Sequence, residues 1–337
     1  MTAPRIDVVV PTHRPGPWLA PCIQSVLESR GIDPRVVVID DLPGDPDVSR
    51  FVGDLEDVFL IVPKANLGFA AAVNRGLATG DAPFVLVLNQ DARLEPDALA
   101  RLYAGIASDA TLASVGGKVL HQAGPDSLPD GTIDSAGIEF RRGRRSVDIG
   151  QGESDAGQFE GWREVFGVCA AVALYRRSAL EEVAEDGQVM DETFYMHKED
   201  VDLAWRLRRA GYRAAVDGAA IAYHARGTRR VADDAFGHGV WGSISTLIAA
   251  ERAKGARIRR LAWRNHMRML IKNESARGLA RSMPWILMQQ VGYVAVGMLL
   301  DPLGTVIERV RFLRDFPGLI ARRIRGGAPV DLPAWLP

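Results

Sequence analysis

Phe84-Val85-Leu86-Val87-Leu88, followed at once by Asn89-Gln90-Asp91, is the stretch on which the fold turns. Five consecutive apolar residues with no alternation read as a strand buried on both faces, as in a sheet layered between helices. A carboxylate at the C-terminal end of such a strand emerges at the rim where open α/β sheets bind ligands. Outward from this run, Ile6 to Val10, Arg35 to Ile39 and Val58 to Val62 read as further strands. Trp18 to Ser29, Phe69 to Leu77 and Pro96 to Ile106 carry helical periodicity between them. Strands alternating with helices predict a mostly parallel, Rossmann-like α/β sheet with crossovers.

Leu112 to Leu120 extends the strand pattern, after which residues 122–161 turn polar and Gly-rich, a predicted hairpin or mobile loop over the cleft. Apolar character resumes at Val165 to Tyr175, followed by a short helix near Ser178 to Val183 and an acid-headed helix from Lys198 to Ala210. Tyr212 to Val216 and Ala220 to Tyr223 are short β-like pieces ending at His224. From Trp241 to about Ile324 the pattern is helical, with breaks predicted at Pro284, Pro302 and Pro317. The expected division is a catalytic domain at 1–228, with halves at 1–110 and 111–228, and a basic helical region at 229–337.

With 47% hydrophobic and 25% charged residues among 337, the chain has the composition of a folded protein. Cys22 and Cys169 are its only cysteines, far apart and in apolar contexts, so core roles are expected rather than a disulfide framework. Ile6 to Val10 is too short for the core of a secretory signal, and a cytoplasmic compartment is the expectation. The net charge of −1 conceals an uneven distribution. Residues 252–325 carry 16 Lys/Arg against 4 Asp/Glu, a balance of +12 that leaves −13 elsewhere.

No Gly-x-Gly-x-x-Gly follows the first strand, so an NAD-type phosphate turn is excluded. Thr12-His13-Arg14 and Asp40 close adjacent strands, where a carboxylate can accept the N3–H of uracil or thymine or simply cap a turn. Lys64-Ala65-Asn66-Leu67-Gly68-Phe69-Ala70 and Asn74-Arg75-Gly76 join a tight turn, a helix start and a cation, suited to a ribose and diphosphate or to an ordinary helix N-terminus. Asn89-Gln90-Asp91 looks like an Asp-x-Asp metal motif with its first acid replaced, and one carboxylate plus a diphosphate can hold a hard cation. Glu199-Asp200-Val201-Asp202 sets acids at a helix N-terminus, favourable for the macrodipole and suited to a general base on a rigid element. His224 reads either as a metal ligand or phosphate donor or as a core-edge residue.

In this order, Val10-Pro11-Thr12-His13-Arg14, Ile39-Asp40-Asp41, Asn66-Leu67-Gly68-Phe69-Ala70, Asn74-Arg75-Gly76, Leu88-Asn89-Gln90-Asp91, Gly167 and Glu199-Asp200-Val201-Asp202-Leu203 resemble family 2 glycosyltransferases, the bacterial rhamnosyltransferase-like branch in particular. The resemblance spans roughly residues 5 to 228. It implies a GT-A fold, a nucleotide-sugar donor, a divalent cation (Mg²⁺ or Mn²⁺) and inversion at the anomeric carbon. It also implies Asp200 as base, Asp91 and His224 at the metal, and Glu199, Asp202, Gly167 and Trp162 supporting the base or meeting the acceptor. Pro11, Thr12, Arg14, Asp40, Asn66, Gly68, Phe69, Asn74, Arg75, Asn89 and Gln90 would line the nucleotide sugar. Three positions depart from the family pattern: Asn89, His13 where tyrosine is common, and the loop Asp41-Leu42-Pro43-Gly44.

The implied reaction moves a sugar, L-rhamnose from dTDP-L-rhamnose as first choice, to a cell-envelope or capsular glycan acceptor of the polyprenyl-diphosphate-linked kind. UDP-galactofuranose, UDP-N-acetylglucosamine or another UDP-hexose would use the same scaffold. A nucleotidyltransferase and a non-catalytic nucleotide-sugar-binding membrane scaffold are the rival readings. Trp285 to Leu300 is apolar but shorter than the ~20 residues of a bilayer span, so it is expected to lie on a membrane or at a subunit interface. Its basic flanks suit anionic lipid on the inner face of the cell membrane, and no aromatic-basic module points to nucleic acid.

Overall fold

The computed structural model describes residues 2–42, 46–53, 55, 57–225, 248–249, 251–253, 255–326, 329, 331–332 and 335. It divides into two compact units, residues 1–139 with 147–226, and residues 140–146 with 227–337. The boundary expected at 228 lies outside the described residues.

In the first unit β1 (Arg5–Thr12), β2 (Asp33–Asp40), β3 (Val58–Ile61) and β4 (Phe84–Leu88) form the parallel half of one sheet. The sheet continues through β6 (Leu112–His121), β11 (Val172–Arg176), β12 (Arg213–His224) and β10 (Trp162–Val165), in the order β10-β12-β6-β11-β4-β1-β2-β3. β11 runs antiparallel between β4 and β6, which makes the sheet mixed beyond its parallel half. Short strands β5 (Ala92–Leu94) and β7 (Ile133–Ser135) pair with β12 and β6. The two predicted β pieces around 212–223 are one strand, irregular between Asp217 and Ile221.

Alternation along β1 shows why the run patterns are unbroken. Ile6, Val8 and Val10 belong to one core with α1 (Leu19–Leu27) and α4 (Ala98–Ser108), whereas Val9 belongs to the opposite core with α3 (Phe69–Leu77) and α6 (Glu199–Arg209). The short α2 (Pro46–Val52) adds to the first core and α5 (Arg177–Glu182) to the second, so helices cover both faces and both sets of side chains must be apolar. Residues 122–161 hold β7 and a hairpin of β8 (Ile138–Arg141) and β9 (Arg145–Asp148). Cys22 is fully buried and Cys169 half-buried, both as free thiols.

The second unit contains α7 (Gly255–Asn273), α8 (Ala276–Leu300) and α9 (Pro302–Arg325). Pro302 opens α9 as predicted, but Pro284 and Pro317 lie inside helices. Both sit on the exposed side, where water can serve the carbonyl that each ring leaves unpaired. Ser275 caps α8 by accepting from Gly278 N–H, so the helix runs 25 residues rather than starting near Trp285. Among the described residues α8 is the one helix long and apolar enough to cross a membrane, by length and composition alone, with a mean hydropathy of 1.4 over its best window. The hairpin tip belongs to this unit: Arg144 and Glu274 form an ion pair, each side chain 1% exposed.

Candidate active site

The C-terminal ends of β1, β2 and β4 lie side by side, with Thr12 in register with Asp40. Asp91, just past β4, is drawn to the end of β12 because β5 pairs with it, Ala92 opposite His224. His224 Nε2 lies 3.2 Å from Asp91 Oδ1, and its Nδ1 is 2.9 Å from Asp134 Oδ2 on β7. Asn89 adds its amide nitrogen 3.2 Å from the same Nε2. Burial alone would raise the Asp91 carboxyl, but the hydrogen bond and charge of His224 hold it below the ordinary carboxylate range. Burial would likewise depress His224, and hydrogen bonds to Asp134 and Asp91 outweigh it, raising the imidazole to about 9.

This donor set suits a hard divalent cation. Asp91 and, once it gives up its proton, His224 Nε2 would supply two ligands, and Asp134 holds Nδ1 so that the ring presents Nε2 to Asp91. Among the described residues no three His, Cys, Asp or Glu side chains form a metal cluster of their own. A divalent cation held there would keep positions for diphosphate oxygens and water.

Asp200 stands in the first turn of α6, whose N-cap Lys198 has φ +74°. Val201 N–H donates to its Oδ1 at 2.8 Å and Ala170 N–H to its Oδ2 at 3.4 Å. The next residue, Ala171, accepts from Asn89 N–H at 3.0 Å. Two consecutive residues between β10 and β11 thus tie the Asp200 carboxylate to the segment that carries Asp91. Burial, then the nearby charge of Asp148, raises the Asp200 carboxyl. Glu199, buried and with Oε2 lacking a hydrogen-bond partner, is pushed up to about 8, chiefly by burial and then by Asp200.

A second cluster closes the nucleotide side. Gln90 accepts from His13 N–H at 2.6 Å and donates to His13 O at 3.2 Å, and His13 Nδ1 lies 3.1 Å from the Asn66 amide. Tyr195 O–H donates to Asn66 Oδ1 at 2.5 Å, and its ring leaves no room for a Cβ at Gly68, where φ is +82°. Asp41 accepts from the backbone N–H groups of Leu67 and Gly68, fixing this turn at the N-terminus of α3. Tyr195 itself has φ +64° and ψ −60°, with Met196 N–H donating to Phe194 O at 2.7 Å, a strained γ-turn. His197 and Lys198 also have positive φ, so backbone strain is concentrated just before Glu199 and Asp200.

Asp40 is fully buried at the end of β2, Thr12 and Pro11 are buried beside it, Phe69 packs partly into the core, and Arg14 and Arg75 are exposed. Asp40 Oδ1 accepts from Leu42 N–H at 3.2 Å. Four expected site residues have other work. Asn74 is taken up by loop 190–192, exchanging hydrogen bonds with Met190 at 2.8 and 2.9 Å and reaching Glu192 at 3.1 Å. Asp202 is buried and taken up by its ion pair with Arg206 at 2.9 Å. Removing one partner of such a buried pair costs about 3–5 kcal/mol. Gly167 is required by close packing, since a Cβ there would come 2.4 Å from that of Ala204. Trp162 stacks on Gly105 of α4 at the far strand of the sheet, across the sheet from α6. Asp134, Asp148 and Tyr195 join the site although no local pattern marks them, and Asp41, quoted in the Ile39-Asp40-Asp41 motif, joins it by holding the Leu67-Gly68 turn.

Residues 7–184 match the model of glycosyl transferase family 2, and the chain belongs to that family. It is 32% identical over 221 residues to the pre-mycofactocin glycosyltransferase of Mycobacterium tuberculosis strain H37Rv, covering 65% of this chain but 42% of that protein. The chain thus spans less than half the length of this relative. To the N-acetylglucosaminyl-diphospho-decaprenol L-rhamnosyltransferase of the same strain it is 28% identical over 240 residues, 65% of this chain and 76% of the relative. Its fold is that of the GT-A glycosyltransferases. The crystal structure of GalNAc-T7 with UDP, GalNAc and Mn²⁺ superposes with a TM-score of 0.61 at 13% identity, over 96% of this chain and 58% of the other.

Proposed function

We propose that this chain is an inverting, cation-dependent glycosyltransferase, with one half of its site for the donor diphosphate and the other for the proton of the acceptor. The observation that carries the reading is the link through Ala170 and Ala171, which joins a carboxylate–histidine pair to a second carboxylate of opposite protonation tendency. Asp200 takes the proton from an acceptor hydroxyl as that oxygen attacks C1 of the sugar. The C1–O bond to the nucleoside diphosphate breaks on the opposite face, which inverts the anomeric centre. Burial and Asp148 bring the base toward working pH, where general-base catalysis is most effective. Asp91 and His224 would hold a Mg²⁺ or Mn²⁺ ion, which when bound offsets negative charge on the diphosphate.

Asp40 serves the pyrimidine, while Asn66, Gln90 and Arg75 serve the ribose and diphosphate side. L-rhamnose from dTDP-L-rhamnose is the preferred donor because one relative is a rhamnosyltransferase; UDP-galactofuranose, UDP-N-acetylglucosamine or another UDP-hexose is the alternative. A polyprenyl-diphosphate-linked glycan is the acceptor class, at the inner face of the cell membrane, with the basic helical unit as the membrane contact.

A panel of nucleotide sugars with Mn²⁺ tests this, by thermal shift and by product release. Stabilisation by one donor with release of nucleoside diphosphate supports the reading. Pyrophosphate release from a nucleoside triphosphate and a sugar 1-phosphate, assayed in parallel, would instead indicate a nucleotidyltransferase, and stabilisation without any product a non-catalytic binding protein.

A further inference from the structure

The surface of the second unit specifies how it meets a membrane, an inference that rests on the membrane placement proposed above. α8 exposes Leu287, Val291 and Leu299, and α9 exposes Leu303, Val310 and Leu313, at helical spacings that place them along one side of each helix. Four of them are 64–72% exposed: Leu299, Leu303, Leu313 and Val291. The opposite side of α9 is packed, with Thr305, Glu308, Phe312 and Leu319 buried.

Charge is sorted the same way. Asp301, Glu308 and Asp315 are the only acids between residues 276 and 325, and each is paired with an arginine of α7. Arg264 meets Glu308 at 3.0 Å, Arg268 meets Asp315 at 2.7 Å, and Arg260 pairs with Asp301. Arginines four apart on α7 thus face acids seven apart on the α8–α9 junction and α9. The outer side keeps exposed cations, Arg311 and Arg314 among the apolar residues and Arg325 at the end.

We infer that the outer side of α8 and α9 lies flat in the headgroup layer of an anionic bilayer, apolar residues inward and arginines at phosphate level, and that α8 does not cross it. A second copy on this side would oppose arginine with arginine, the acids of α9 being already paired with arginines of the same unit. A span by α8 would carry α7 into hydrocarbon, because Trp263 Nε1–H donates to Gln290 Oε1 at 2.6 Å halfway along α8. α7 bears Arg259, Arg260, Arg264 and Arg268, whose charges would be carried into hydrocarbon with it.

The test is co-sedimentation of the full chain with phosphatidylcholine vesicles, with and without phosphatidylglycerol, beside a Val310→Asp/Leu313→Asp variant. Wild type is expected to bind only the anionic vesicles, to weaken with salt and to be released by alkaline carbonate. The variant is expected to bind roughly tenfold more weakly per residue changed, with an unchanged circular dichroism spectrum. Serine at both positions repeats the test if the aspartates unfold the helix. Equal binding by the variant, or equal binding to neutral vesicles, would overturn the inference. Carbonate resistance would show a span, and a concentration-dependent dimer abolished by the variant would show a second copy as the occupant. Nucleotide release measured on the same samples without vesicles reports the transferase reading independently of all these outcomes.

Discussion

Asp91 and Asp200 are the same side chain in two opposite settings. At the end of β4 a histidine backed by a second acid holds the carboxylate charged; at the head of α6, burial and a neighbouring acid favour its protonated form. Two carboxylates whose environments push their proton affinities apart are the usual basis for dividing labour within one site. One setting is suited to charge that must be held, the other to a proton that must move. The two are separated by 109 positions in sequence yet share one backbone turn at Ala170 and Ala171.

The largest expected effect breaks the Asp200 side alone. Asp200→Asn should lower turnover by about 10²–10⁴-fold, the range of general-base assistance, while donor affinity measured by calorimetry is retained. Next comes the acid behind the histidine: Asp134→Asn should weaken Mn²⁺-dependent nucleoside diphosphate binding by about 10–100-fold, as loss of a partner behind a ligand does. The smallest effect sharpens the contrast. Asp148→Asn removes a negative neighbour from Asp200 and eases its ionisation. Since the base works deprotonated, activity is lost on the acid side, and the variant's acid limb in kcat/KM against pH should lie lower than that of the wild type. An unmoved limb would assign the titration to another group.

The parallel half of the sheet was legible because strands buried on both faces are written as unbroken apolar runs, and Asp40 and Asp91 follow those runs directly. Gly68 was legible for its conformation, since a left-handed helix entry under a tyrosine ring admits nothing larger. Asp134 and Asp148 were not, because each sits singly in a polar segment and acquires a role only when β7 and β9 bring it to His224 or Asp200 across 90 and 52 positions. Gly167 and Asn74 sit in recognisable motifs, yet packing uses them: one admits Ala204, the other holds the Met190 loop. Motif membership groups these residues, but it does not separate those open to a ligand from those that hold the walls. Pro284 and Pro317 misled in the helical unit because a solvent-facing proline costs a helix one hydrogen bond without ending it.

The division of labour is tested most directly by calorimetric titration of nucleoside diphosphate, with and without Mn²⁺, into Asp91→Ala and Asp200→Asn side by side. Asp200→Asn is expected to keep the enhancement of affinity by Mn²⁺ that the wild type is expected to show, and Asp91→Ala to lose it. Enhancement retained in Asp91→Ala, or lost equally in both variants, would contradict the separation of donor binding from proton transfer.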